Sequence, residues 1–171
     1  MLNTIKLKYP KLFPINKNNK EYIQNLSIQL KEIQSNNICV ISNDTNYKET
    51  FLAFILSRPM TYGIVDYEVF NISDMIDIYV GKNDDYYNIS KLEFDQLFVF
   101  HTGLEPINKQ VNNYTAYALS RRLEKINIIH ITRVNNELSK LLKDLGFTFV
   151  EANNATIKPS TKKVTYNNDL F

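Results

Sequence analysis

Residues 91–106 read KLEFDQLFVFHTGLEP. At the centre of this stretch, Leu97-Phe98-Val99-Phe100 is an unbroken apolar run. Such a run, with no alternation of apolar and polar positions, suits a strand covered on both faces, as in a parallel sheet. It stops abruptly at His101-Thr102-Gly103. α/β folds place ligand-facing residues at the ends of such strands. The identity of Phe100 and His101 therefore bears directly on what the protein can bind.

Similar runs recur on either side. Ile38-Cys39-Val40-Ile41 and INIIHIT (126–132) read as buried strands, 64–72 is strand-like, and 147–150 reads as a last strand. Helical segments lie between them. In 21–33, Ile23, Leu26, Leu30 and Ile33 share one face. A helix over 50–58 is stopped by Pro59, and Ser73 is positioned to cap a short helix over 74–80. A helix over 108–125 has an inner face of Val111, Tyr114, Thr115, Ala118, Leu119 and Leu123. A helix over 137–145 ends at Gly146. Strands alternating with helices from 38 to 150 predict an α/β fold with three α-β-α layers and a mainly parallel sheet. The expected division is an N-terminal basic arm and helix packed on the core (1–37), the α/β core (38–150) and a C-terminal strand or tail (151–171). Leu12 and Phe13 of the arm are expected to pack on the body.

Composition narrows the functional classes. With 44% hydrophobic and 22% charged residues in 171, the chain is an ordinary globular domain. A net charge of +2 supplies no global basic field that would demand nucleic acid. The single cysteine, Cys39, lies in an apolar run and reads as a buried thiol, since one cysteine builds neither a disulfide nor a cysteine-rich metal site. No stretch approaches the roughly 20 apolar residues of a membrane span. The start, MLNTIKLKYPKLF, has no signal-peptide apolar core, so a cytoplasmic location is expected. Asp84 and Asp85 read as solvated loop charges, with metal binding the remote alternative.

The loop after the first buried strand can be laid against a phosphate-binding motif. A P-loop needs glycines so that backbone N–H groups approach phosphates, a lysine for charge and a Ser or Thr for Mg²⁺. Here Ser42 and Tyr47 occupy the glycine positions, Lys48 the lysine and Glu49 the Ser/Thr. Only Lys48 matches. A tyrosine where no Cβ bulk is tolerated obstructs the loop, and a carboxylate at Glu49 repels phosphate.

FDQLFVFHTGLEPINKQVNNYTAYALSRRLEKINIIHIT (94–132) resembles the second half of the core in DnaC-type bacterial helicase-loader ATPases, an AAA+-like P-loop family. That family tends to show an apolar strand, two acids, Leu-Gly-x-Glu, a helix ending near Arg-Leu and an Ile/Thr-rich strand. Gly103 and Glu105 match the Gly and Glu, Arg122-Leu123 the Arg-Leu, and 128–132 the strand. The segment 66–80 resembles the family's second strand and the helix after it. The two acids fall on Phe100 and His101, and the polar sensor residue falls near Arg133. The resemblance spans roughly 38–135 and implies a degenerate nucleotide site. Lys48, His101 and Arg133 are its vestigial positions, with no cofactor, no metal and lost ATPase activity expected. His101 reads as a hydrogen-bonded structural residue, with a catalytic base the alternative. His130 reads as a satisfied core histidine.

Partner-binding candidates follow from the same likeness and from the C-terminus. Arg121 and Arg122 are read on a helix, as surface charge or as a protein- or phosphate-binding patch. The tail KKVTYNNDLF resembles the peptide with which bacterial replication proteins bind the sliding clamp, making Asp169, Leu170 and Phe171 candidate anchors. The function expected is therefore a non-catalytic, replication-associated interaction protein that binds a helicase, a loader or the sliding clamp. Two alternatives stay open. One is a diverged nucleotide-binding protein using Lys48 and Arg133. The other is binding of single-stranded nucleic acid through the basic arm (Lys6 to Lys20) and tail (Lys158 to Lys163), with tyrosines as stacking platforms.

Overall fold

In the computed structural model of the chain, the residues described are 9–10, 13, 19–42, 46–58, 67–80, 95–132 and 135–152. They form α1 (Lys20–Glu32), β1 (Asn37–Ser42), α2 (Tyr47–Ser57), β2 (Glu68–Asn71), α3 (Ile72–Val80), β3 (Gln96–Phe100), α4 (Lys109–Ser120), β4 (Ile126–Thr132), α5 (Asn136–Asp144) and β5 (Thr148–Ala152). The strands make one sheet in the order β2-β3-β4-β1-β5, and every pairing is parallel.

Alternate residues of each strand face opposite ways, and two separate cores result. On one side Ile38, Val40, Phe98, Ile128 and Val150 pack against α1 and α2. On the other, Cys39, Leu97, Val99, Ile129 and Ile131 pack against α3, α4 and α5. The three-layer parallel architecture expected from the alternating pattern is thus present among the described residues. β1, β3 and β4 are mostly apolar in their interiors because both of their faces are covered. α1 buries Tyr22, Ile23, Leu26 and Leu30 at helical spacing. α2 is buried nearly all round, since it packs against α1 and shares the core formed with one face of the sheet.

Local chemistry sets the helix starts. Asn108 Oδ1 accepts from the Val111 N–H at 2.9 Å, and Asn135 Oδ1 from the Leu138 N–H at 3.2 Å. For α3 the capping residue is Asn71, not Ser73. Its Oδ1 accepts from the Asp74 N–H at 2.7 Å, and its Nδ2 donates to Asp74 Oδ2 at 2.8 Å. α2 begins at Tyr47, three residues before the expected start. α4 stops at Ser120 instead of running to Lys125, so Arg121 and Arg122 lie just beyond a helix. α5 ends before Gly146, whose φ of +85° is the left-handed conformation that glycine adopts without strain.

The N-terminal arm docks on the first core. The Tyr9 hydroxyl donates to the Tyr67 carbonyl at 3.2 Å and accepts from the Tyr67 N–H at 2.9 Å. Its ring meets Phe51 edge-on with centroids 5.2 Å apart. The hydroxyl thus satisfies both backbone groups of the residue that leads into edge strand β2. Phe13 packs against the same core. Leu12 lies outside the described residues. Tyr9→Phe keeps the ring contact and removes both bonds, and is expected to cost about 1–2 kcal/mol in urea unfolding. A loss near zero would show that the arm contributes no stability through this hydroxyl.

Candidate functional site

The carboxyl ends of the strands bring the decisive residues into one row. Phe100 lies beside Asn71 and His130, His130 beside Val40, and Val40 beside Val150. Ser42 and Thr132 are paired one step further on. A ligand of an open parallel sheet would sit just outside this row.

An aromatic pair is found there. Tyr47, in the first turn of α2, stacks on Phe100 at the end of β3, with centroids 4.0 Å apart and planes 10° apart. Phe100 continues to Phe98 at 6.0 Å, and Phe98 to Phe51 at 4.9 Å. The rings run unbroken from the sheet edge into the core. Beside them, Ser42 Oγ donates to Asn46 Oδ1 at 2.9 Å. Glu49 is only 7% exposed, and its Oε1 accepts from Asn19 Nδ2 at 2.8 Å. The carboxylate is held against the N-terminus of α1. Lys48 is half-buried.

The two histidines sit where β3 and β4 meet. The His101 N–H donates to the His130 carbonyl at 3.0 Å. Both side chains are buried, yet among the described residues His101 Nε2 and both ring nitrogens of His130 have no hydrogen-bond partner. His130 is therefore a core histidine but not a satisfied one. Burial, and then the neighbouring His101, push its imidazole down to about 3. Burial also lowers His101, against the opposing pull of Glu105. Both rings are neutral near pH 7, and neither is placed to take a proton from a solvent-borne substrate.

Glu105 has a local task. Its carboxylate accepts the Thr102 N–H at 3.0 and 2.8 Å, while the Leu104 N–H donates to Thr102 Oγ1 at 3.2 Å. Gly103 takes a φ of +86° in this turn. Leu104 is held out at 91% exposure.

No family model, no curated protein and no solved structure matches the chain.

The expected arginine pair is divided. Arg121 is exposed, whereas Arg122 is buried, and its Nε donates to Asn127 Oδ1. Asn127 Nδ2 in turn donates to Asn37 Oδ1 at 2.6 Å and to the carbonyls of Arg122 and Lys125 at 2.8 and 3.2 Å. Asn37 Nδ2 donates to the Leu123 carbonyl at 2.8 Å. Burial pulls the Arg122 guanidinium down to about 10, with Asp95 opposing. This cluster ties together the starts of β1 and β4, at the opposite end of the sheet from the aromatic pair. Arg122 thus serves the fold, and an exposed partner patch built on both arginines does not form.

Other residues emerge only in three dimensions. Asn135 Nδ2 donates to Asn112 Oδ1 at 2.9 Å, and Asn112 Nδ2 to Glu137 Oε2 at 3.2 Å, linking α4 to α5. The Asn135-x-x-Leu138 capping pattern was the available signal for one end of this network; nothing in the sequence marked Asn112. Tyr114, expected on the inner face of its helix, instead walls an external groove. Arg133, Asp84, Asp85, Asp169, Leu170, Phe171, and the lysines of the arm (6–18) and tail lie outside the described residues. Among the described residues no cluster of three His, Cys, Asp or Glu could hold a metal, and no helix is long and apolar enough to cross a membrane.

Proposed function

We propose that this protein is a non-catalytic interaction protein on a degenerate AAA+-type P-loop core, and that it acts on a replication partner: the helicase, its loader or the sliding clamp. The stacked Tyr47 and Phe100 carry the proposal. They stand where a phosphate loop would need a glycine and a metal site would need an acid. Stacked at 4.0 Å, the two rings fill the space between β3 and α2 with carbon. Such a pair contributes about 0.5–1.5 kcal/mol beyond its buried area, so the edge is stable with no ligand in it.

Two further observations support the same view. Glu49 replaces a magnesium-binding hydroxyl with a buried carboxylate already bonded to Asn19. The strand order inserts β4 between β1 and β3. The strand leading toward Lys48 and the strand ending at Phe100, just before His101, are therefore separated by β4. The replication context rests on the sequence likeness over 38–135 and on the clamp-peptide likeness of Asp169, Leu170 and Phe171.

Calorimetry with Mg-ATP is expected to show no binding tighter than about 1 mM, a free energy of roughly −4 kcal/mol. Micromolar binding that disappears in Lys48→Ala would overturn the non-catalytic reading. Affinity capture with purified helicase, loader and clamp tests the partner. Recovery of none of the three would remove the replication assignment, and recovery unaffected by truncation after Asn167 would remove the tail from it.

A further inference from the structure

Of the two buried histidines, His101 is the one beside a carboxylate. His130 lies inside β4, in the row between Val40 and Phe100. His101 stands one residue past β3, where its N–H still bonds the His130 carbonyl at 3.0 Å. The chain then turns. Glu105 closes that turn, taking the Thr102 N–H with both carboxylate oxygens, at 3.0 and 2.8 Å. Gly103, inside the turn, has a φ of +86°, and a glycine backbone leaves that conformation without a Cβ penalty. Leu104, the most exposed of the large apolar side chains described, is carried on it.

Among the described residues, His130 and Glu105 are the titratable groups that act on the His101 ring. Burial disfavours a charge on His101, and Glu105 opposes burial. His130 is itself held neutral by burial and by His101. The acids of the neighbouring helices are already bonded: Asp74 of α3 to Asn71, Glu137 of α5 to Asn112 and Glu49 of α2 to Asn19. Lys48 and Lys109, which open α2 and α4, are cations and offer no acceptor. A neutral His101 tolerates its unpartnered Nε2. A protonated one carries a donor on both nitrogens, and a buried charge without an acceptor is far more costly than a neutral ring.

We propose that His101 and Glu105 form an acid-operated latch on the turn that presents Leu104. At neutral pH the Glu105 carboxylate holds Thr102. When His101 takes a proton from solvent, the carboxylate moves to the imidazolium, Thr102 is released and Leu104 is re-set. The His101 backbone stays bonded to β4, so the change is confined to residues 101–105. It differs in this from the loss of overall stability that buried histidines cause in acid. Because burial lowers the affinity of His101 for the proton, the latch opens below pH 6.5, the ordinary midpoint of an imidazole. Its operation needs no partner and is independent of the replication reading.

The test is an NMR titration of the full-length protein from about pH 7.5 to about pH 5. It follows the His101 Cε1–H and the methyl groups of Leu104, with circular dichroism recorded on the same samples. The two signals are expected to move with one midpoint while the dichroism stays constant. Glu105→Gln removes the attraction, moves the His101 midpoint down by about 0.5–1 pH unit and uncouples Leu104 from it. His101→Phe leaves the Leu104 methyls still across the range, and His130→Leu keeps their titration. Should His101→Phe fail to fold, the Glu105→Gln titration decides alone. Four results overturn the latch: Leu104 signals that stay fixed while His101 titrates, a His101 midpoint indifferent to Glu105→Gln, Leu104 movement that persists in His101→Phe, or no His101 titration above about pH 5. So does protonation of His101 only as the dichroism is lost, since the proton would then open the whole fold and not the turn.

Discussion

Replacing Asn127 with Leu is expected to cost about 3–5 kcal/mol, more than any surface change in this protein. Asn127 is buried and serves four groups: Arg122 Nε, Asn37 Oδ1 and the carbonyls of Arg122 and Lys125. Leucine fills a similar volume but offers no polar atom. A hydrogen bond to a charged group contributes about 1.5–3 kcal/mol, and each buried polar atom left unpaired adds a further penalty. Arg122 suffers most, because the residue is only 5% exposed and its charge is already disfavoured by burial. In a chain of 171 residues the loss corresponds to a fall in Tm on the order of 10 °C. The double variant Arg122→Met with Asn127→Leu removes the stranded charge, and is expected to be less destabilised than the two single changes added together. Urea unfolding of all three variants measures this. Simple additivity would mean that Arg122 does not depend on Asn127.

The second large effect concerns acid. His130 is fully buried, both ring nitrogens have no partner among the described residues, and its imidazole is pushed down to about 3. The unfolded chain binds the proton near 6.5, so between those values it holds more protons than the native state does. Native stability is therefore full above pH 6.5 and is lost as pH falls toward 3. The loss from this one residue is about 2 kcal/mol on going from pH 7 to pH 5, at 1.36 kcal/mol per pH unit below 6.5. His101 is shifted the same way and adds to it. His130→Leu is expected to remove most of that slope, and to hold or raise stability at pH 7 by up to about 2 kcal/mol, since two unpaired nitrogens leave the core. Urea midpoints at pH 5, 6 and 7 for both proteins decide the matter. An unchanged pH dependence would show that the ring is satisfied in solution.

These two sites mark where linear reading succeeds and fails. The apolar run Leu97–Phe100 falls within β3 (Gln96–Phe100), and the largely apolar stretch 126–132 coincides with β4, because strands covered on both faces are built mainly from apolar residues. The layer architecture follows from that alternation. The end of α4 was hidden. Arg121-Arg122-Leu123-Glu124-Lys125 has good helical propensity, yet the chain turns there: the Lys125 N–H donates to the Arg122 carbonyl at 2.9 Å, and Arg122 reaches into the sheet. Tertiary bonding outweighs propensity. At the candidate site, Tyr47 and Phe100 were each visible as misfits in a phosphate motif. That they compensate each other by stacking requires β3 and α2 to be neighbours, which no spacing between positions 47 and 100 announces. The missing partners of His130 are equally silent in the sequence, since an apolar strand looks the same around a bonded ring and an unbonded one.

The position of β1 has a consequence for biosynthesis. It lies in the sheet between β4 and β5, with Ile38 beside Ile128 and Thr148. At about 5–20 residues per second, Asn37–Ser42 leaves the ribosome several seconds before either neighbour exists. During that interval its apolar run has α1 and α2 to shelter one face and no strand on either edge. Chaperone capture of the nascent chain is therefore expected to peak before Ile126 is translated and to fall once Ala152 has emerged.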